Sequence, residues 1–301
     1  MRGISRIARL ISVLAGTAAL TIATVITPAT ASAAPVPRFD HIVLVMFENV
    51  GFDQIIRSGR APYFNHLADG GALFTDAHAL THPSQPNYIA LFSGSTQGVT
   101  DDGCPHTFTR ADNLNTRLAA AGRSFTGYAE SMPAAGYTGC TGSNNLYARK
   151  HNGWANFDNV PPGANQPFAA FPRDYSRLPT VSFVSPNMCN DIHDCPVATG
   201  DTWLRNNLGG FADWAKANNS LLVVTFDEDE GTRANRIPTI FYGAGVNPGK
   251  YAEHIDHYSV LRTLEDAYGL PTIGESAHAA PITNIWSPTL GGLPLPSTGS
   301  H

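Results

Sequence analysis

Short apolar runs, each long enough for one β-strand, alternate along this chain with segments of helical periodicity. The strand candidates are His41 to Phe47 (HIVLVMF), Ser124 to Ala129, Thr180 to Val184 (TVSFV) and Leu221 to Phe226 (LLVVTF). The helix candidates are Tyr63 to Ala68, Asn87 to Phe92, Asn113 to Ala121, Thr202 to Ala217 and Tyr258 to Tyr268. Strands that are apolar throughout are buried on both faces, and the helices between them supply the crossovers that parallel strands need. The pattern therefore predicts an α/β fold, a doubly wound, largely parallel central sheet with helices on both faces.

Acidic and polar residues directly follow the first and last of these strand candidates. Glu48 and Asn49 come after Phe47, and the run Asp227-Glu228-Asp229-Glu230 comes after Phe226. Because ligands bind beyond the carboxyl ends of parallel strands, we expect these side chains to meet in one crevice. Neighbouring carboxylates repel one another unless a proton or a cation intervenes, and hard oxygen ligands suit a divalent metal ion. An isolated acidic run is also typical of a solvated turn.

Two further groups combine histidine with carboxylates. The first, Asn187 to Asp194 (NMCNDIHD), follows the strand candidate that ends at Val184, and the second, His254 to Ser259 (HIDHYS), starts the last helix candidate. Both residue types bind metals, and histidine also contacts phosphate groups. Each group alone is more typical of a helix cap or a surface loop, so its significance depends on its position at the edge of the expected sheet.

Ser84 lies between two prolines in the stretch THPSQPNYIALFSG. Proline favours an extended residue before it, and Pro86 suits the first turn of a helix, so Ser84 falls near the start of the helix. Serine there is either an N-cap, whose hydroxyl accepts a backbone N–H bond, or a nucleophile beside helix amides that favour phosphate. The stretch by itself is compatible with both interpretations.

The first 33 residues differ from the rest of the chain. Arg2, Arg6 and Arg9 precede an apolar segment from Leu10 to Ile26, and the small-residue sequence Ala-Ser-Ala ends at Ala33. This order is typical of a secretory signal peptide. A membrane anchor is the alternative, but threonine, alanine and glycine dilute the segment and a cleavage pattern follows it. We therefore expect secretion after cleavage near Ala33.

Residues 34–286 are expected to form a single domain, followed by a flexible tail over residues 287–301. The chain of 301 residues is 43% apolar, which suits one large globular domain. The tail is rich in Pro, Gly and Ser, and its LPSTG sequence resembles a sortase signal, but no apolar segment follows it. No later apolar run is long enough to span a bilayer, so we expect no integral membrane association. The formal net charge of −5 disfavours nucleic acid as a partner.

Four cysteines in an exported chain fit two disulfides, for which three pairings exist. We favour Cys104–Cys140 with Cys189–Cys195, because each pair brackets a loop-like segment. A zinc site is the alternative, but the chain has no C-x-x-C spacing. The residues from Tyr128 to Arg177 are rich in Gly, Asn, Pro and aromatic residues, and we expect ordered loops there that shape a pocket.

Five segments together resemble one known family. They are HIVLVMFENVGFDQI, HPSQPNYIALFSG, SPNMCNDIHD, VVTFDEDEG and HYSVLRTLEDAYGLP. In this order they resemble the phosphoesterase family that includes bacterial and fungal acid phosphatases and the non-haemolytic type of phospholipase C. The resemblance covers about Phe39 to Pro271, and it implies the doubly wound fold of the alkaline-phosphatase-like superfamily.

The resemblance also implies roles for individual residues. The implied ligands of a divalent cation are Glu48, Asn49, Ser84, Asp227 and Glu228, although some relatives carry Asp at the last position. Ser84 matches the nucleophile, with Asn87, His193 and His257 expected to stabilise charge on the phosphate. The residues that match contacts to the phosphate or to a second cation are Asp191, His193, Asp194 and His257.

The implied reaction is hydrolysis of a phosphate ester through a phosphoserine at Ser84, whose alkoxide a metal ion makes available. The expected substrate is a small phosphorylated molecule or a phospholipid headgroup. A phosphomonoesterase is favoured, because phospholipases C of the family are typically longer. The alternatives are a phospholipase C-type phosphodiesterase and a sulfatase, although the sulfatase signature requires an arginine where Tyr88 stands. A third is an exported, non-catalytic protein that binds phosphate or a glycan.

Overall fold

The computed structural model describes residues 35–287. The predicted signal peptide, its cleavage position and all but the first residue of the predicted tail lie outside the described residues. Within the described part of the chain, no helix has the length and apolar character needed to cross a membrane.

One eight-stranded sheet organises the described residues. Its strands are β1 (His41–Phe47), β2 (Ala72–His78), β3 (Phe125–Ala129), β4 (Asn165–Pro167), β5 (Val181–Ser185), β6 (Ser220–Phe226), β7 (Thr239–Gly243) and β8 (Gly249–Asp256). They lie in the order β4-β3-β5-β1-β6-β7-β2-β8. Every neighbouring pair is parallel except the two that include β7. The predicted largely parallel sheet is confirmed, and β7 makes it a mixed one.

The four strand candidates of the sequence correspond to β1, β3, β5 and β6, with bounds that differ by at most one residue at either end. They form the contiguous run β3-β5-β1-β6 on one side of the sheet. The other four strands were not predicted, and for two of them the reason is physical. β8 is an edge strand whose residues are mostly part-exposed, and β4 has only three residues. Neither carries the continuous apolar run that marks a strand buried on both faces.

Six α-helices within residues 35–287 cover the sheet. They are α1 (Phe52–Ile55), α2 (Pro62–Gly70), α3 (Ser84–Ser93), α4 (Leu114–Ala120), α5 (Val197–Ala217) and α6 (His257–Tyr268). Phe47 of β1 packs on Phe64 of α2 and Trp203 of α5. Phe183 of β5 packs on Phe92 of α3, on the opposite face of the sheet. Because successive strand residues point to opposite faces, this alternation buries both sides, as predicted.

The predicted disulfide pairing is confirmed, since Cys104 bonds to Cys140 and Cys189 to Cys195. The intervening region, predicted as ordered loops, consists of short 3-10 turns and β4. Its Trp154 packs against Gly127 of β3, where an added Cβ would come within 2.1 Å of the indole ring. This loop region is therefore packed directly on the sheet.

Candidate active site

The carboxyl ends of three neighbouring strands bring the predicted polar residues together. Phe47 of β1 lies opposite Phe226 of β6, so the next residues, Glu48 and Asp227, emerge side by side. On the other side of β1, the loop after β5 returns to the same edge, where the Asp191 carbonyl accepts a bond from the Glu48 N–H at 2.9 Å. The expectation that strand ends place these carboxylates in one crevice is therefore met by the sheet register.

Ser84 is the first residue of α3, and its hydroxyl points at these carboxylates. Its Oγ lies 3.0 Å from Glu48 Oε2 and 3.2 Å from Glu228 Oε1. The N-cap position of the helix belongs to Pro83, and no side chain caps it. The interpretation of Ser84 as a helix cap is therefore wrong, because its hydroxyl is directed into the crevice and away from the helix amides.

Burial sets the electrostatics of this crevice. Glu48 and Asp227 are fully buried, and Ser84 is 2% exposed. Loss of solvation, followed by the charges of Asp227 and Asp191, raises the pKa of Glu48 well above its ordinary value. Burial, and next the charge of Glu228, raises the pKa of Asp227 to about 8. These carboxylates cannot all be ionised together without a compensating cation.

His151, which sequence analysis missed, completes the crevice. Its Nδ1 lies 3.0 Å from Asp191 Oδ2, while its Nε2 lies 3.1 Å from Glu48 Oε1. Burial, and then Lys150 and His193, lower the pKa of His151 well below its ordinary value, so the ring is neutral. With the proton on Nδ1 and donated to Asp191, Nε2 presents its lone pair to the crevice. A carboxylate that orients a histidine in this way is typical of metal sites.

Two buried atoms in the crevice have no hydrogen-bond partner. They are Asp227 Oδ2 and His151 Nε2, and both are electron-pair donors directed at the same crevice. We call Glu48, Ser84, His151, Asp227 and Glu228 the central site. Buried polar atoms are nearly always paired in proteins, so unpaired donors among buried carboxylates fit a bound divalent cation. The residues present therefore match the group that the sequence implied.

The loop after β5 supplies the residues at the mouth of the site. His193 is part-exposed, and one nitrogen of its ring lies within 4.8 Å of the donor atoms of Glu48 and His151. Its Nδ1 contacts Asp194 Oδ1 at 2.7 Å. Asp191 is buried and accepts bonds from His151 Nδ1 and from the His193 N–H. Of the four predicted contacts to phosphate or a second cation, His193 thus lies near two central donors, while Asp191 orients His151.

Three other predicted residues hold the backbone around the site. Asn49 donates its N–H to Asp227 Oδ1 at 3.0 Å and adopts a φ of 53°, in the left-handed region that asparagine tolerates best after glycine. Asn87 uses both amide hydrogens on the carbonyls of Thr81 and Pro83, so its side chain fixes the loop that leads into α3. His257 is buried, with Nε2 2.9 Å from the Asp227 carbonyl.

Neighbouring loops add two contacts that no motif indicated. His82, which lies two residues before Ser84 in the chain, contacts Glu228 Oε2 through its Nδ1. Lys150 Nζ lies 2.8 Å from Asp102 Oδ2, and Asp102 Oδ1 accepts the Gln85 N–H at 3.0 Å. One of the α3 amides that sequence analysis reserved for phosphate is therefore already bonded. The only sequence signal for Lys150 and His151 was the expectation that their loop region shapes a pocket.

Comparison with known proteins shows the family to which this chain is similar. The profile of the phosphoesterase family matches residues 56–271. A phosphatidylinositol-3-phosphatase of Mycobacterium tuberculosis is 52% identical over 257 residues, which cover 85% of each chain. An acid phosphatase of Aspergillus fumigatus is 31% identical over 270 residues, covering 82% of this chain and 59% of the fungal one. This chain thus spans less than two thirds of the length of that fungal relative.

Solved structures share the fold at much lower identity. The lipoteichoic acid synthase LtaP from Listeria monocytogenes superposes with a TM-score of 0.57 at 11% identity, over 84% of this chain and 78% of that one. A protein in the alkaline phosphatase superfamily from Vibrio parahaemolyticus gives 0.54 at 13% identity, over 81% and 72%. These similarities confirm the predicted alkaline-phosphatase-like fold and carry no information about substrate.

Proposed function

Because the chain belongs to the phosphoesterase family, and is therefore a hydrolase of phosphate esters, we propose that it is a cation-dependent phosphomonoesterase whose nucleophile is Ser84. The observation that carries this proposal is the Ser84 hydroxyl, which lies between Glu48 and Glu228 in a buried acidic crevice. A hydroxyl that only stabilised a helix would face the helix amides.

The side chains of the central site suit a nucleophilic mechanism. A divalent cation supplies Lewis-acid stabilisation of phosphate oxygens and favours the ionised hydroxyl of Ser84. Ser84 Oγ attacks phosphorus, the bond from phosphorus to the leaving-group oxygen breaks, and a phosphoserine forms. The hydroxyl proton passes to Glu228 or Glu48, whose carboxylates lie within 3.2 Å and whose pKa values burial raises. Water then hydrolyses the phosphoserine.

The remaining residues position these groups. The donor set for the cation comprises Glu48, Asp227 and His151, with Asn49 and Glu228 beside them. Asp191 holds His151 in the tautomer that leaves Nε2 free. The proximity of His193 to the donor atoms of Glu48 and His151 supports a role for its ring in contacting the oxygens of an incoming phosphate group. Asn87 keeps Ser84 in place through the loop before α3.

The substrate class follows from chemistry and from the relatives. The mycobacterial relative is named a phosphatidylinositol-3-phosphatase and the fungal one an acid phosphatase. Both names describe hydrolysis of a phosphomonoester. We propose small phosphorylated molecules, including phosphorylated inositol headgroups, as substrates. Comparing p-nitrophenyl phosphate with p-nitrophenyl phosphorylcholine separates this proposal from a phospholipase C-type diesterase, and faster hydrolysis of the diester would overturn it.

Ser84→Ala tests the nucleophile directly. We expect the variant to lose at least about a thousand-fold in kcat on p-nitrophenyl phosphate, because the phosphoserine pathway is closed. Acid quenching of the wild-type protein during turnover should leave labelled phosphate on Ser84. Ser93→Ala is the matched control, since Ser93 is buried in the same helix but its hydroxyl bonds to the carbonyls of Ile89 and Ser95 and to the Gln97 side-chain amide. Near-wild-type kcat in Ser84→Ala, or label on another residue, would refute the proposal.

We also propose that the protein is secreted after removal of residues 1–33, with residues 34–286 as its single catalytic domain. The two disulfides within the described residues support this location, because such bonds persist mainly in oxidising compartments. Expression in a secreting bacterial host should release protein into the medium whose N-terminal sequence starts near Ala34. Recovery of the intact N-terminus from the cell fraction alone would contradict the prediction.

A further inference from the structure

A second group of histidine and carboxylate side chains lies at the edge of the sheet, outside the central site. Asp76 and His78 of β2 point to the same face as His254 of β8, which pairs with Asp76 in the sheet register. We call these three residues the edge cluster. One donor atom from each lies within 4.8 Å of the others. The edge cluster is part-exposed, with 45% of the Asp76 side chain, 23% of His78 and 67% of His254 accessible.

The hydrogen bonds of His78 indicate that the edge cluster requires an additional positive charge. Its Nδ1 lies 2.6 Å from the carbonyl oxygen of Ala234, and a carbonyl only accepts, so Nδ1 carries the proton. Its Nε2 lies 2.9 Å from Asp76 Oδ1. In a neutral ring this nitrogen has no proton, and its lone pair would face a carboxylate oxygen. The contact is favourable only when a second proton or a metal ion lies between the two atoms.

The Asp76 carboxylate contacts the rings of both histidines. Its Oδ1 faces His78, and its Oδ2 lies 3.1 Å from His254 Nδ1. The ring centroids of the two histidines are 5.0 Å apart. The contacts with His78 and then with His254 lower the pKa of Asp76, which favours its ionised carboxylate. The cluster therefore offers one carboxylate and two imidazole rings to a single point in space.

We propose that the edge cluster binds a zinc ion through His78 Nε2, an Asp76 carboxylate oxygen and His254 Nδ1, with water in the remaining position. Two imidazoles and one carboxylate form a donor set that zinc prefers, and three protein ligands plus water are a common arrangement. The bond from His78 Nδ1 to the Ala234 carbonyl is the kind of outer contact that fixes a metal-binding tautomer. The alternative occupant is a second proton on His78, which would leave a simple ion pair.

A zinc ion in the edge cluster would also act on the loop between β6 and β7. Ala234 belongs to the loop that starts with Asp227 and Glu228 after β6 and ends before β7. In the same loop, Asn235 donates its side-chain N–H to the Thr81 carbonyl, close to Ser84 in the chain. Zinc that locks His78 would hold this loop against β2, while the ligands themselves remain separate from the central site.

Zinc alone, added to the untagged full-length protein after treatment with chelator and dialysis, tests the proposal. Calorimetry and elemental analysis should show that the wild-type protein binds a zinc equivalent that His254→Ala loses, with affinity for that site falling by at least about a hundred-fold. His278→Ala is the matched control, because His278 is exposed and lies outside the cluster. Hydrolysis of p-nitrophenyl phosphate by His254→Ala should remain at the wild-type rate.

Two further measurements distinguish this site from the central one. Glu48→Gln, which removes a central donor, should keep the zinc equivalent that His254→Ala loses. Zinc should also shift the ring resonances of His78 and His254 in NMR spectra of the wild-type protein. Equal zinc content in wild type and His254→Ala, or ring resonances that zinc leaves unchanged, would overturn the proposal and identify the contact as a protonated ion pair.

Discussion

The central site and the edge cluster use the same kinds of side chain at the same end of one sheet, yet they differ in burial. Glu48 and Asp227 are fully buried, whereas nearly half of the Asp76 side chain is exposed. Water can solvate the edge carboxylate but not the central ones. The ionised carboxylates of the central site therefore require a compensating positive charge. At the edge, such a charge adds to the stabilisation that water already gives the Asp76 carboxylate.

The pKa shifts in the two regions run in opposite directions for this reason. Burial raises the pKa of Asp227 to about 8, whereas hydrogen bonds from His78 and His254 lower the pKa of Asp76. The same residue type thus resists ionisation at the centre and favours it at the edge. Which effect dominates depends on burial and on the side-chain partners within hydrogen-bond distance.

Among the changes that compare the two regions, the largest expected effect comes from removing one central charge. Glu48→Gln keeps the size of the side chain but removes a cation donor that also contacts Ser84 and His151. We expect hydrolysis of p-nitrophenyl phosphate and affinity for the activating cation to fall together by roughly a hundred-fold or more, since outer contacts alone are worth 10- to 100-fold in metal sites. Steady-state kinetics over a titration of the cation measures both quantities.

Glu265→Gln is the matched control for this change. Glu265 is also fully buried, but its carboxylate accepts bonds from Ser276 Oγ and the Ile273 N–H, away from the central site. The control should retain wild-type kinetics. If Glu48→Gln behaved like Glu265→Gln, burial alone would not distinguish a functional carboxylate from a structural one, and the central site would need a different assignment.

A smaller effect is expected on stability as a function of pH in protein freed of cations by chelator. With a folded pKa of about 8 and an ordinary unfolded pKa near 4, Asp227 binds its proton more tightly in the folded state. The contribution of Asp227 to the free energy of unfolding is therefore largest below about pH 4 and is lost as pH rises towards 8, by an amount on the order of a few kcal/mol. Asp227→Asn should flatten this profile in thermal or denaturant unfolding.

Asp76→Asn provides the contrasting measurement at the edge. Because the pKa of Asp76 is lowered, its contribution is present above the unfolded pKa and is lost as pH falls, so the sign is opposite to that of Asp227. Solvent screens this exposed carboxylate, and the change should stay below about 1 kcal/mol.

Parallel pH profiles for wild type and Asp227→Asn would show that the central carboxylates do not repel one another as the geometry indicates.

Much of the fold and part of the site followed from local sequence pattern. The continuous apolar runs of β1, β3, β5 and β6 predicted the buried half of the sheet, and their ends located Glu48 and Asp227. The edge strand β8 was not predicted, because a half-exposed strand lacks a continuous apolar run. The antiparallel β7 is buried and was also not predicted. The disulfide pairing was predicted correctly, since each pair closes a loop region.

The sequence by itself determined which residue types are available at the strand ends, because the residue after a buried strand must emerge at the sheet edge. Tertiary structure alone decided that His151 joins Glu48 and that Ser84 faces carboxylates instead of capping α3. It also decided that His78 and His254 meet at Asp76. Such contacts join residues far apart in the chain, and they depend on strand order and loop packing, which no local periodicity encodes.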